Sequence, residues 1–361
     1  MKPFPNILVD AHLDIAYNRL AHGRDFRLAA LVKRRQEAIR PNQRAGIPTV
    51  GLPDLLLARV GVVFGTLFTA PPLGRFANPN ISYETPQQAY RQALRQMDYY
   101  QRLADEDPRV CLVRTRAELA AVLASWEPGR ELHEHQLGIV LLMEGADPVL
   151  EPRQLEEWVE RGVRIVGPAW RATRYAAGTG APGTFTKLGE ALLEVMAHFG
   201  IILDCSHLAE RAFFQAVDRY PGAIIASHSN PARFAEGDRH LTDAMLQALF
   251  ERDGVVGLVL YNEFMLNGWK RWRDRKQDVP LGVAVDMIDH VCQLAGDALH
   301  VGIGTDWDGG FGWEATPDPL DTHLDLWALE ERLLARNFSP QDVRNILHGN
   351  FLRKLSEGLP G

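Results

Sequence analysis

Short apolar runs of strand length recur along the chain, and each is followed by a stretch with helical spacing. The runs are Ile7–Asp14, Val60–Thr69, Leu137–Glu144, Val163–Ala169, Gly200–His207, Ala223–His228, Val255–Tyr261 and His300–Asp306. Several are apolar at consecutive positions, as in LGIVLLME at 137–144. That is the pattern of parallel strands covered on both faces. The spacing predicts helices over 85–104, 152–161, 187–198, 208–219, 242–252, 281–295 and 321–336, with a further pair near 340–356. The first carries Thr85 as a cap and a proline in its opening turn. Eight strands alternating with helices predict an α/β chain folded as one (β/α)8 TIM barrel over residues 1–361, rather than an open sheet.

Three segments are long for loops: 15–58, which is expected to include a short helix around 27–40, then 171–186 and 262–280. Each follows a strand, so each is expected on the C-terminal face, where barrel enzymes build their sites. The basic run Lys33–Arg34–Arg35 and the segment NGWKRWRDRK (267–276) fall within two of them. Solvated surface is the expectation for both, with a lid over a pocket as the alternative.

Composition narrows the class. With 361 residues, 46% hydrophobic and 24% charged, the chain has ordinary globular material for a core. A formal net charge of −7 with scattered basic residues offers no track for nucleic acid. No run approaches the length of a membrane span, and the N-terminus MKPFPNILVDAHLD does not read as a signal peptide. Three widely spaced cysteines, Cys111, Cys205 and Cys292, form no CxxC pair and no disulfide framework. A cytoplasmic protein is expected.

The chemistry lies in where the polar residues fall. Run one ends in Asp10-Ala-His12-Leu-Asp14, run three in Glu144, run five in Asp204-Cys-Ser-His207, run six in Ser227-His228-Ser229 and run eight in Asp306-Trp-Asp308. In a barrel these ends converge on one face. Buried histidines and carboxylates are costly unless paired or bound to metal, and a divalent cation supplies that compensation. In a strand, residues i and i+2 share a side, so His12 and Asp14 can grip one ion, and imidazole with carboxylate suits zinc.

Taken singly, each residue also has a structural reading. A lone strand-end histidine is more often hydrogen-bonded than ligating; Glu144 reads equally as a helix cap, and Asp308 as a cap or a support for the ligands. His133, Glu134 and His135 precede run three and are expected as surface at the opposite end. His22, His198, His240, His290, His300, His323 and His348 have no comparable strand-end position. None of the lysines (Lys2, Lys33, Lys187, Lys270, Lys276, Lys354) ends a strand, so Glu144 is the carboxylate expected to bridge two ions.

At these residues the chain resembles the membrane (renal) dipeptidase family, peptidase family M19 of the amidohydrolase superfamily. The resemblance spans almost the whole chain and rests on DAHLD (10–14), MEG (143–145), ILDCSH (202–207), IASHSN (225–230), GDRHLTD (237–243), GIGTDWDG (302–309) and GNFLR (349–353). It implies two divalent metal ions, zinc by preference, with His12 and Asp14 on one, His207 and His228 on the other, and Glu144 bridging. It further implies that Arg239 binds the substrate's free carboxylate and that Asp306 handles protons as a metal-activated water attacks the amide. One position departs: where animal members end strand four in a histidine, this chain reads GPAWRAT, with Trp170 in that place. Trp170 is expected to shape the pocket wall, with plain core as the alternative. The implied activity is hydrolysis of small dipeptides. Two other readings stand beside it: hydrolysis of N-acyl amino acids, lactams or lactones on the same scaffold, and a non-catalytic metal-binding barrel. The expected partner is a small dipeptide, with a homodimer left open.

Overall fold

The computed structural model describes residues 6–38 and 45–361. Eight parallel strands follow one another around the sheet: β1 Leu8–Leu13, β2 Val60–Phe68, β3 Leu137–Glu144, β4 Val163–Gly167, β5 Ile202–Asp204, β6 Ile224–Ala226, β7 Val255–Leu258 and β8 Val301–Ile303. All but Arg164 are buried, which is why their sequences lack polar alternation. The fold is therefore α/β, a nearly closed eight-strand barrel of TIM type.

Between β8 and β1 a few contacts, largely from side chains, take the place of a regular ladder among the described residues. Asp306 N donates to His12 O at 3.2 Å, and the Asp10 carboxylate accepts from Thr305 N at 2.8 Å and Thr305 Oγ1 at 2.6 Å. His323 Nε2 adds a contact to Asp10 Oδ2 at 2.9 Å. The β1–β2 register slips by one residue between Asp10 and Leu13. A bulge of this kind re-aims side chains at a barrel rim. It accompanies a division of labour in which Asp10 serves the seam and His12 the barrel mouth. Across the barrel the backbone closes in tightly: a Cβ on Gly304 would lie 2.0 Å from the Ser227 carbonyl oxygen, so only glycine fits.

The helices start where their caps predict. Pro86–Glu106 opens on a reciprocal Thr85–Gln88 capping box, and Lys187–His198 and Asp243–Glu251 on Thr186 and Thr242 side chains. The segment expected as helix 321–336 is a 3-10 turn, His323–Trp327, leading into Ala328–Ala335.

The long segments are more structured than expected. Residues 15–58 hold helices Ile15–His22, Ala30–Glu37 and Leu52–Leu57; of the helix expected around 27–40, residues 39–40 lie outside the described residues. The 171–186 segment is an antiparallel hairpin, Ala176–Gly178 with Ala181–Phe185. A short strand, Val110–Leu112, pairs with the start of β3 outside the barrel path, and helix Arg116–Ala124 follows it.

The two basic segments meet the solvated-surface expectation only in part. Lys33 is buried and donates to Val50 O, while Arg34 bonds Pro48 O and Asp321 Oδ1, each at 2.6 Å. Trp269 and Lys276 are buried, the latter donating to Thr316 Oγ1 at 2.7 Å, and Arg271 reaches Gly310 O at 2.7 Å. These groups anchor loops to one another, while Arg35, Asn267, Gly268, Lys270, Trp272, Arg273 and Arg275 stay exposed. His135 is likewise not surface: it is buried and stacks on Trp126 with ring centroids 4.1 Å apart.

Candidate active site

His12 lies within β1 and Asp14 one residue beyond it, where it opens helix Ile15–His22. Glu144 is the last residue of β3. His207, His228 and Asp306 each stand two to three residues past the ends of β5, β6 and β8. His207 and Asp306 hold φ of 66° and 57°, a left-handed backbone that non-glycine residues avoid and that concentrates at functional sites. The strand ends thus bring all six together.

Glu144 is the centre of the cluster. Its Oε1 is 3.2 Å from His207 Nε2 and 3.4 Å from His228 Nε2, and its Oε2 is 3.5 Å from His12 Nε2. His207 Nε2 and His228 Nε2 are 3.1 Å apart, and the His12 and His228 rings stack at 3.5 Å. The other nitrogen of each ring meets a hydroxyl: Ser227 Oγ at 2.8 Å from His228 Nδ1 and 3.4 Å from His12 Nδ1, Thr179 Oγ1 at 2.9 Å from His207 Nδ1. Asp14 Oδ1 accepts from the Thr66 hydroxyl. His12, Glu144 and His228 form one group of potential ligand atoms, and His12, Asp14 and Asp306 a second, each within 4.8 Å.

The electrostatics call for a cation. Burial, with a smaller push from Asp204, drives the Glu144 carboxyl up to about 8, and burial together with Glu144 raises Asp14 to about 7. Burial, then Arg239 and neighbouring histidines, holds His207 and His228 well below the usual imidazole range. His12 Nε2 is fully buried with no hydrogen-bond partner among the described residues. Neutral imidazoles and crowded carboxylates aimed at one space fit divalent ions, which reverse these penalties by binding the deprotonated forms.

Above the cluster opens a cavity of about 280 Å3. Asp14, Glu144, His207 and Asp306 form its floor, Phe68, Phe76, Trp170 and Phe264 its apolar walls, and Arg171, Thr179 and Arg239 add polar groups. Arg239 is buried and donates through Nη2 to His228 O at 2.5 Å and through Nη1 to Ser229 Oγ at 3.1 Å. Guanidinium has five N–H donors, so others remain for a ligand. Trp170 is half-buried, edge-on to Phe68 and Phe76 at 5.3 and 4.9 Å. It lines the cavity rather than the barrel core. Asp308 stands apart from the ligand cluster: its Oδ1 accepts from Thr49 N and Oγ1 at 2.8 and 2.5 Å, pinning the 45–50 segment to the loop after β8. Sequence reasoning missed Thr66, Thr179, Ser227, Arg171 and the phenylalanines; of these only Ser227, inside the SHS triplet, carried a positional signal.

The sequence pattern described as Membrane dipeptidase (Peptidase family M19) matches residues 5–358. The chain belongs to this family. It is accordingly an M19 metallopeptidase of the dipeptidase type, a hydrolase. Among curated relatives, Dipeptidase aclJ of Aspergillus oryzae is 27% identical over 85% of this chain and 69% of its own. An uncharacterized protein in the pqqA 5' region of Klebsiella pneumoniae is 31% identical, over 66% of this chain and 88% of its own. Among solved structures, a metallo peptidase from Rhodobacter sphaeroides, liganded with a phosphinate mimic of the dipeptide L-Ala-D-Ala, superposes with a TM-score of 0.77. It covers 98% of this chain and 99% of that one at 22% identity, a likeness of fold. No helix among the described residues is long and apolar enough to cross a membrane, whatever the family's name suggests.

Proposed function

We propose that this M19 chain is a binuclear zinc dipeptidase. The observation that carries the proposal is the convergence of three imidazole nitrogens on the two oxygens of Glu144, all within 3.5 Å. In this reading His12 and Asp14 would hold one ion, His207 and His228 the other, and Glu144 would be shared between them. Bound divalent ions supply a polarised amide carbonyl and a water acidified for attack. The remaining work falls to the protein. Asp306 keeps 16% side-chain exposure against 6% for Glu144, so it is the carboxylate open to substrate. Burial foremost, with Asp14 and Glu144 adding to it, raises its carboxyl well above the ordinary range. Asp306 is thereby suited to hold the proton released in the attack and to pass it to the leaving amine. The free N–H groups of Arg239 take the dipeptide's terminal carboxylate, fixing its register. The aromatic wall with Trp170 excludes water and shapes side-chain choice.

The test is metal content with activity on a dipeptide panel. Zinc-supplemented protein should carry close to two ions per chain and hydrolyse dipeptides, and Glu144→Ala should lose at least one ion. Fewer than one ion per chain would overturn the binuclear reading. Turnover confined to N-acyl amino acids, lactams or lactones would move the chain to a related amidohydrolase; metal without any turnover would make it a binding barrel.

A further inference from the structure

Arg171 follows Trp170 and lines the same cavity as Arg239, but the two guanidiniums differ in state. Arg239 is buried and committed to His228 O and Ser229 Oγ. Arg171 is exposed and makes no hydrogen bond or ion pair with any described residue. Its backbone nevertheless packs against the hairpin: a Cβ on Gly178 would meet Arg171 O at 2.6 Å. The guanidinium lies against Gly180 in the turn of the 176–185 hairpin, and a Cβ there would sit 2.7 Å from Nη2. The next residue back, Thr179, holds His207 Nδ1 at 2.9 Å, so the same turn seats Arg171 and a proposed metal ligand. The acidic groups on the cavity floor, Asp14, Glu144 and Asp306, belong to the ligand and proton-transfer cluster. The walls between, Phe68, Phe76, Trp170 and Phe264, offer no carboxylate to Arg171, and Asp238, beside the same turn, accepts from Gly180 N at 2.7 Å.

We propose that Arg171 is a specificity-determining residue that pairs with a second carboxylate, so that the preferred substrates are dipeptides with an acidic side chain. This rests on the dipeptidase reading, in which Arg239 takes the terminal carboxylate. A dianionic dipeptide then satisfies both guanidiniums. A neutral dipeptide leaves Arg171 to solvent.

The test compares kcat/KM for dipeptides of alanine with aspartate and with its uncharged isostere asparagine, each residue placed in turn at either end. It uses zinc-loaded wild type, Arg171→Met and Arg171→Lys. The aspartate peptide should be favoured by about tenfold or more at one end, mainly through KM. In Arg171→Met the aspartate-to-asparagine ratio should fall to within about twofold of unity, and Arg171→Lys should restore part of it. A merely structural role for Arg171 would lower both peptides together and leave the ratio unchanged, which would overturn the proposal. So would hydrolysis of both peptides by wild type without acidic preference, a result that leaves the dipeptidase reading standing. No hydrolysis of any dipeptide would overturn both.

Discussion

Ser227 donates its hydroxyl proton to Asp204 Oδ2 at 2.5 Å. Its only donor is therefore spent, and Oγ acts as an acceptor toward the Nδ1–H groups of His228 and His12. That assigns both rings the tautomer whose Nε2 lone pair faces Glu144. Asp204 in turn is held by Ser206 N and Ser227 N at 3.0 and 2.9 Å, so the arrangement is anchored in the β5 and β6 ends.

Ser227→Ala removes the shared acceptor without touching a ligand. Metal affinity should fall by roughly 10–100-fold while the barrel stays folded. Competition with a graded chelator, read beside far-UV circular dichroism, measures both. Unchanged affinity would show that ring packing alone orients the histidines.

Asp306→Asn keeps the side chain's size and removes its capacity to carry a proton. We expect the metal content of wild type and a fall in kcat of about 10²-fold or more. Turnover close to wild type with both ions bound would take Asp306 out of proton transfer.

Arg239→Ala should penalise a dipeptide far more than its C-terminal amide, because only the former presents a carboxylate. A charge-assisted pair of this kind is worth about 1.5–3 kcal/mol, or roughly 10–100-fold in kcat/KM. Equal losses on the two substrates would point instead to a structural role through His228 O and Ser229.

His240, next to that arginine, gives a pH prediction. Burial first, and Arg239 second, lower its imidazole to about 4. A histidine whose folded value lies below its unfolded value of about 6.5 is held neutral by the fold. Its cost is absent above pH about 6.5, grows as the pH falls toward 4 and is complete below that. Wild type should therefore lose on the order of 2–3 kcal/mol relative to His240→Leu between these limits. Urea melts of both proteins at pH 7, 5.5 and 4.5 test this; parallel stability curves would show that the fold does not disfavour the charged form of His240.

The barrel was legible because parallel strands buried on both faces leave near-continuous apolar runs, as in Leu137–Glu144. The clustered polar residues were legible for the complementary reason: histidines and carboxylates stand out at the ends of such runs, and their assignment as metal ligands remains a proposal. What local pattern could not supply was geometry made by non-local contacts. The register slip in β1 depends on pairing with β2, and the left-handed turns at His207 and Asp306 lie beyond the strands that appeared to contain them. The 176–185 hairpin, built of glycine, alanine, threonine and proline up to Phe185, has almost no hydrophobic alternation to read. Phe68, Phe76 and Phe264 look like core in any sequence, and only the folded chain shows that they wall a cavity.

The seam between β8 and β1 has a consequence for the order of assembly. Asp10 reaches Thr305 and His323 across some three hundred residues of chain, and His12 meets Asp306 at the same place. A growing polypeptide released from the ribosome in order cannot close this join until its last strand has emerged. The proposed centre draws its ligands and its proton carrier from both sides of the join. A chain still lacking β8 would therefore hold every proposed ligand but neither Asp306 nor the closed pocket, and the onset of turnover, rather than the supply of ligands, would mark the moment at which synthesis has delivered the whole barrel.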